Sequence, residues 1–345
     1  MPAAAAESRI HLGHGGGGAL MQQLIETELR PLYADPLQLE LDAARLELPH
    51  GRLAFSTDSY VVTPLEFPGG DIGRLAVCGT CNDLAMVGAR PSLLSLGLIL
   101  EEGLPLATLR RLLASLQRAA LECGVTIVTG DTKVVERGRA EGMYVNTSGI
   151  GLLQAQRPIG PRAIGAGDQL LVSGDLGRHG MAVLAARHGL VLEPALLSDC
   201  APLWPQVEAL LAAGILPHCL RDLSRGGLAA AACELAAASG LVLTLEEDRL
   251  PLCAAVRRGC ELLGLDPLQL ANEGRCLLVV AAADLEATLA LLAPCGAVWL
   301  GEVGQPPQGE QGQRGWPRGQ VLLRTRYGSE RRLAAPSGEL LPRIC

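Results

Sequence analysis

Hydrophobic and polar positions alternate in two distinct rhythms along this chain. Arg52 to Val62 (RLAFSTDSYVV) alternates residue by residue, as a half-buried strand does, until Pro64 and Pro68-Gly69-Gly70 interrupt it. Ile72 to Val87 carries apolar residues at helical spacing and stops at Gly88. Leu93 to Leu100 is a continuous apolar run, predicting a buried strand. Pro105 to Cys123 predicts a helix with Pro at its start and Gly124 just past its end. Val125–Val128 and Met143–Leu153 read as further strands. Upstream, Leu20, Met21, Leu24, Ile25 and Leu29 recur as on one helix face, after a Gly-rich start from His11 to Gly18.

Pro158 to Gly167 breaks the pattern, and we place a domain boundary there. Beyond it, a strand at Gln169–Ser173 is followed by candidate helices at Gly180–His188, Asp199–Ala213, Gly227–Ala238, Leu252–Leu263 and Asp284–Leu292. Strands at Val242–Leu245 and Cys276–Ala281 lie between them, an alternation that predicts an α/β layer. Gln305–Arg318 predicts a loose loop, and Ala335–Cys345, with two prolines and little periodicity, a mobile tail. The expected organisation is a Gly-rich segment and helix over 1–40, an N-terminal domain over 41–157, a C-terminal domain over 158–334 and a tail over 335–345.

Composition narrows the classes. With 49% hydrophobic and 19% charged residues the chain can build real cores, and with 3% aromatics Leu, Val and Ala must fill them. A net charge of -7 without a basic block disfavours a nucleic-acid groove. No apolar run approaches the roughly 18–20 residues of a membrane span, and the start lacks the features of a secretory signal, so a cytoplasmic protein is expected. Eleven cysteines, an odd count, point to thiols rather than a disulfide framework. Within Cys78-Gly79-Thr80-Cys81, inside a predicted helix, close packing accounts for the small residues better than a metal or redox site.

Candidate chemistry sits in four acidic clusters: Ser56-Thr57-Asp58-Ser59, Asn82-Asp83, Gly130-Asp131-Thr132-Lys133 and Arg221-Asp222-Leu223-Ser224-Arg225-Gly226-Gly227. Each Asp alone is as well read as a turn or helix cap. Together, Asp58, Asp83, Asp131 and Asp222 could converge on a hard cation bound with phosphates. His14-Gly15-Gly16-Gly17-Gly18 is a loop that lets backbone N–H groups approach phosphate oxygens, or else a linker. Lys133 could bind phosphate or move a proton, or be an ordinary surface Lys. Glu273, in Asn272-Glu273-Gly274, reads alone as a solvated turn residue. Cys345, the last residue of the sequence, places a thiol where no downstream chain buries it.

Together these segments resemble the HypE family of hydrogenase maturation factors. The resemblance runs through nearly the whole chain: His14–Ile25, Phe55–Val61, Phe67–Gly70, Asn82-Asp83, Ile99–Pro105, Thr129–Val135, Asn146-Thr147, Ser224–Gly227, Ala271–Gly274 and the ending Pro342-Arg343-Ile344-Cys345. The four consecutive glycines differ mildly from relatives that carry a Ser in this loop. The resemblance implies an α/β, two-domain fold like that of aminoimidazole ribonucleotide synthetase and selenophosphate synthetase. It implies an N-terminal β-rich domain that dimerises as a half-barrel, and a C-terminal α/β domain. The implied reaction is ATP-dependent dehydration of a carboxamide carried on the thiol of Cys345, giving a thiocyanate. A carbamoyltransferase, HypF, would load the thiol, and a HypC–HypD complex would receive the nitrile on iron. The resemblance further implies Mg²⁺ on Asp58, Asp83 and Asp222, with ATP beside Gly15, Gly16, Gly17, Gly18, Asp131, Thr132 and Asn146. Lys133 and Glu273 are the implied proton-relay pair, with the choice of base left open.

Overall fold

The computed structural model describes residues 9–15, 23–32, 51–306, 319–336 and 344. The Leu12–Gly15 turn and the helical turns over Ile25–Leu29 come first, with Leu24 and Leu29 buried. Strand β1 (Leu53–Tyr60) follows, then the short β2 (Glu66–Phe67) and β3 (Gly70–Asp71). Helix α1 (Ile72–Met86) is capped by Asp71, whose carboxylate accepts the N–H groups of Gly73 at 2.8 Å and Arg74 at 3.0 Å. Next are β4 (Ala89–Glu101), α2 (Leu106–Cys123), β5 (Thr126–Val135) and β6 (Met143–Leu153). α2 starts after Pro105, ends on a left-handed Gly124 and buries the stripe Leu109, Leu112, Leu113 and Leu116.

β1, β6, β4 and β5 form a sheet in that order, with α1 packed on one face. Position 79 has to be Gly, because a Cβ there would stand 2.3 Å from the Tyr60 hydroxyl. Cys78 and Cys81 are free thiols buried in this same helix.

The second half contains β7 (Gln169–Val172), α3 (Arg178–His188), α4 (Trp204–Ala212), β8 (Cys219–Asp222), α5 (Gly227–Ser239), β9 (Val242–Glu246), α6 (Ala254–Leu263), β10 (Cys276–Val280), α7 (Leu285–Leu292), β11 (Val298–Gly304), β12 (Gln320–Arg324) and β13 (Glu330–Leu333). Its seven-stranded sheet runs β13-β12-β9-β11-β7-β10-β8, and only the β12–β9 pair is parallel. β8, β11, β12 and β13 had no counterpart in the sequence reading.

The expected helix from Asp199 starts instead at Trp204. Asp199 is occupied otherwise: its carboxylate accepts the N–H groups of Glu273 and Gly274, both at 3.3 Å. α1 touches β8 and α4 and is one of the elements that join the halves. Asn82, on α1, donates to the carbonyls of Ala201 and Glu273, both at 3.1 Å, and accepts from Leu203 N–H at 2.8 Å. Among the described residues no helix is long and apolar enough to cross a membrane.

Candidate active site

Alternation along β1 decides which of its residues meet α1. Ser56, Asp58 and Tyr60 lie on the half-buried to buried side, and Phe55, Thr57 and Ser59 on the exposed one. Ser56 Oγ donates to Asp83 of α1 at 2.8 Å. Asp222, at the end of β8, enters from the second half and accepts the hydroxyl of Ser224. A cavity of about 110 Å³ is lined by Asp58, Tyr60, Asp83, Asp222, Arg225 and Glu273, among others. Two segments of each half meet there.

Four carboxylates crowd this space with one nearby guanidinium. Burial, together with the charges of Asp222 and Asp58, pushes Asp83 up to about 6, against the smaller lowering effects of Ser56 and Arg225. Glu273 is only 3% exposed, and its Oε1 is buried without a hydrogen-bond partner among the described residues. Burial first, then neighbouring Cys200 and the Asp charges, pushes its carboxyl well above the ordinary range. Gly274 makes this placement possible, since a Cβ there would lie 2.0 Å from the Asp199 carbonyl.

The donor set suits a hard cation, which takes carboxylate oxygens readily. Among the described residues no three His, Cys, Asp or Glu side chains are grouped to hold an ion by themselves. Mg²⁺ ordinarily takes one or two protein carboxylates and shares the rest of its shell with phosphates and water. A larger cavity of about 430 Å³ adjoins the acidic one, sharing Asp83, Asp222, Ser224 and Arg225, with Met86 and Leu235 among its apolar lining. It has the size and mixed lining of a small-molecule site.

The remaining expected residues lie elsewhere. Asp131 and Lys133 sit within β5 rather than at a strand end, because β5 continues to pair with β4 through Gly97↔Asp131 and Ile99↔Lys133. Their side chains are 68% and 65% exposed, at 3.4 Å from each other. Thr132, between them, faces inward and is buried. Across the open face of the sheet, Ser59, Asn146, Gly97 and Asp131 form one row through four strands. Asn146 donates to the Asp58 carbonyl at 2.9 Å and lies 3.0 Å from Ser59 Oγ. The Leu12–Gly15 turn lies against β5, which puts Gly15 on the Asp131 side of the sheet.

Within one chain, then, the structure gathers Asp58, Asp83, Asp222 and Glu273, and does not bring Lys133 to Glu273. β1 and β5 are opposite sheet edges, three strand spacings or roughly 14 Å apart. Gly16, Gly17, Gly18 and Cys345 lie outside the described residues. Sequence reasoning missed Ser56 as a partner of Asp83, Asn82 as the tie between halves and Asp199 as the clamp on the Glu273 loop. Only the adjacency of Asn82 to Asp83 hinted at any of them.

Two family models cover the chain: "AIR synthase related protein, N-terminal domain" over residues 40–153 and "AIR synthase related protein, C-terminal domain" over 165–310. A carbamoyl dehydratase HypE from Rhodobacter capsulatus is 46% identical over 98% of this chain and 99% of its own length. The chain belongs to the HypE family. A crystal structure of a HypE protein in complex with ATP superposes with a TM-score of 0.90 at 45% identity, covering 97% of this chain and 99% of that one. The HypE chain of a HypE–HypF complex matches with a TM-score of 0.77 at 38% identity, over 92% of this chain and 100% of that one. The HypE fold is thus common to both, and it brings the acidic cavity to the junction of the two AIR synthase-related parts.

Proposed function

We propose that this HypE-family chain is an ATP-dependent carbamoyl dehydratase of hydrogenase maturation, which converts an S-carboxamide on its own Cys345 into a thiocyanate. The observation that carries this reading is the convergence of Asp58, Asp83, Asp222 and the buried Glu273 on one cavity between the halves. Carbamoyl transfer from a HypF-type partner loads the thiol. A HypC–HypD pair takes the nitrile to iron, and the cytoplasm is where we place these exchanges.

The chemistry asked of the site follows from the reaction. An amide oxygen leaves poorly and a phosphate leaves well. The carboxamide oxygen attacks the terminal phosphorus of ATP, ADP departs, and loss of phosphate with two protons from nitrogen forms S–C≡N. The oxygen of the formal water ends in the phosphate. Phosphoryl transfer needs in-line placement and charge neutralisation. Mg²⁺, held by the phosphates with Asp58, Asp83 or Asp222, supplies that neutralisation. Asp83 and Asp222 also line the larger cavity, so the two spaces share an acidic wall.

Glu273 is the base on this reading. Its raised pKa makes it a stronger proton acceptor than a solvated carboxylate, and among the described residues its Oε1 has no hydrogen-bond partner. Lys133 acts from the open sheet face. That face carries Phe55, 70% exposed, with Ile99 and Leu53, and we infer that a second copy covers it. Lys133, Asp131 and Asn146 then work at the dimer interface, with nucleotide contacts that include Gly15–Gly18, whereas Thr132, buried on the other face of β5, supports the strand from within. We assign nucleotide handling mainly to 41–157 and the Glu273 loop to 158–334.

The test uses the purified chain with a HypF-type carbamoyltransferase, carbamoyl phosphate and Mg-ATP. The tail peptide gains the mass of a carbamoyl group and then loses that of one water, whereas Cys345→Ala does neither. A nitrile mass change on Cys345→Ala would refute the assignment.

A further inference from the structure

Ile344 precedes the reactive thiol by one residue, and it is 4% exposed within the first hydrophobic core. Its carbonyl accepts a hydrogen bond from His179 Nε2 at 2.8 Å. His179 is the second residue of α3 and is fully buried. Its Nδ1 lies 2.9 Å from Ser198 Oγ, and the ring stands edge-on to Phe67 with centroids 5.2 Å apart. A carbonyl only accepts, so Nε2 carries the proton, and a neutral ring leaves Nδ1 to accept from the Ser198 hydroxyl. Burial favours that neutral ring.

This contact is tied to the Glu273 loop twice. Gly180 N–H, one residue after His179, donates to the Ala271 carbonyl at 3.0 Å, and Gly177 N–H donates to Asn272 Oδ1 at 2.6 Å. Asp199, one residue after Ser198, receives the N–H groups of Glu273 and Gly274. The histidine that grips residue 344 is therefore held at a fixed offset from the residue we assign as base.

A purely structural core histidine satisfies its nitrogens with permanent neighbours. His179 instead spends Nε2 on main chain 165 residues away, on a residue next to a thiol that must leave for loading. We propose that His179 is a positioning residue, a latch whose Nε2–H and surrounding apolar pocket seize the penultimate residue and so deliver the thiol-borne carboxamide to Glu273. This rests on the function proposed above. When residue 344 leaves the pocket, the donor loses its acceptor, and this cost biases residue 344 toward its place against His179.

The experiment compares full-length wild type, His179→Leu, His179→Gln, Ile344→Ala and the Leu/Ala double variant. It measures iodoacetamide alkylation of Cys345 by tail-peptide mass with Mg-ATP present, single-turnover nitrile formation from preloaded protein, and the Kd for Mg-ATP. We expect His179→Leu, which removes the donor, and Ile344→Ala, which keeps the carbonyl but empties the apolar pocket, each to speed alkylation and slow nitrile formation by about tenfold. Mg-ATP affinity stays at the wild-type value. His179→Gln, which keeps an amide donor, recovers most of both rates, and the double variant is no worse than either single one. Wild-type alkylation and nitrile rates in folded His179→Leu would overturn the latch. Should that variant fail to fold, wild-type rates in Ile344→Ala would overturn it equally. A wild-type protein that forms no nitrile overturns the dehydratase reading, while the alkylation contrast still decides whether His179 holds the tail.

Discussion

The acidic cavity and the open face of the first sheet hold the same kinds of residue in opposite circumstances. In the cavity, Asp58, Asp83, Asp222 and Glu273 come from both halves and are partly or fully withdrawn from water. On the open face, Asp131 and Lys133 stand side by side on one strand, and both are well exposed. Crowding like charges in a low dielectric costs free energy, which a bound cation or proton relieves. An exposed pair at 3.4 Å is screened by water and contributes little. The cavity is thus unsatisfied until something binds, whereas the face is stable as it stands and acts only when another surface meets it.

That contrast can be broken most sharply at Glu273. Glu273→Gln keeps the volume and removes the basic oxygen, so nitrile formation should fall on the order of 100-fold or more while the melting temperature holds or rises. Equal rates would move the base elsewhere.

Asp83→Asn comes next. ATP turnover should fall by about 100-fold, yet the metal-free protein should gain on the order of 1–3 kcal/mol at pH 7. The sign follows from the raised folded-state pKa of about 6. The folded chain binds that proton more tightly than the unfolded one, so the associated stability is complete below about pH 4 and lost as the pH rises through 6. The gain of Asp83→Asn over wild type, read from thermal melts, should therefore be full at pH 7 and vanish by about pH 4. A gain that persists at pH 4 would mean that charge is not its cause.

On the open face, Phe55→Asp should shift the sedimentation profile to a smaller species and leave the melting of the monomer within about 0.5 kcal/mol. Lys133→Ala should have the smallest effect on stability, also within about 0.5 kcal/mol, because its ion pair is solvated. Slowed nitrile formation in that variant at unchanged stability would place Lys133 at a functional interface. An unchanged rate would leave it an ordinary surface residue.

Much of the first half was readable from pattern alone. Ile72–Val87 and Pro105–Cys123 announced α1 and α2 through apolar spacing, Pro105 and Gly124, and the observed helices differ by a single residue at one end each. The second sheet was harder. Cys219–Asp222 and Val298–Gly304 are short strands paired mostly to distant neighbours, and short apolar runs carry no period that separates strand from helix. β5 outran its predicted end because β4 pairs along it past Gly130, a partnership that local composition does not encode. Among the site residues, Asp58, Asp83, Asp222 and Glu273 were named in advance. Ser56 and Asn82 were named only as members of their clusters and Asp199 only as a helix start, since the role of each lies in a contact made across the fold.

By itself the sequence determined the family and the two-part α/β plan and singled out acidic segments as candidates, because periodicity, turn residues and chemically distinctive segments are local properties. The tertiary structure decided the rest. It separated Lys133 from Glu273 by setting the Glu273 loop beside β1, while Lys133 lies on β5 at the other edge of the first sheet. It buried Glu273, which reads alone as a solvated turn residue, and thereby raised its pKa. It also set Ile344 against His179. Burial and long-range pairing are relations between distant segments, and their energies are settled only when those segments meet.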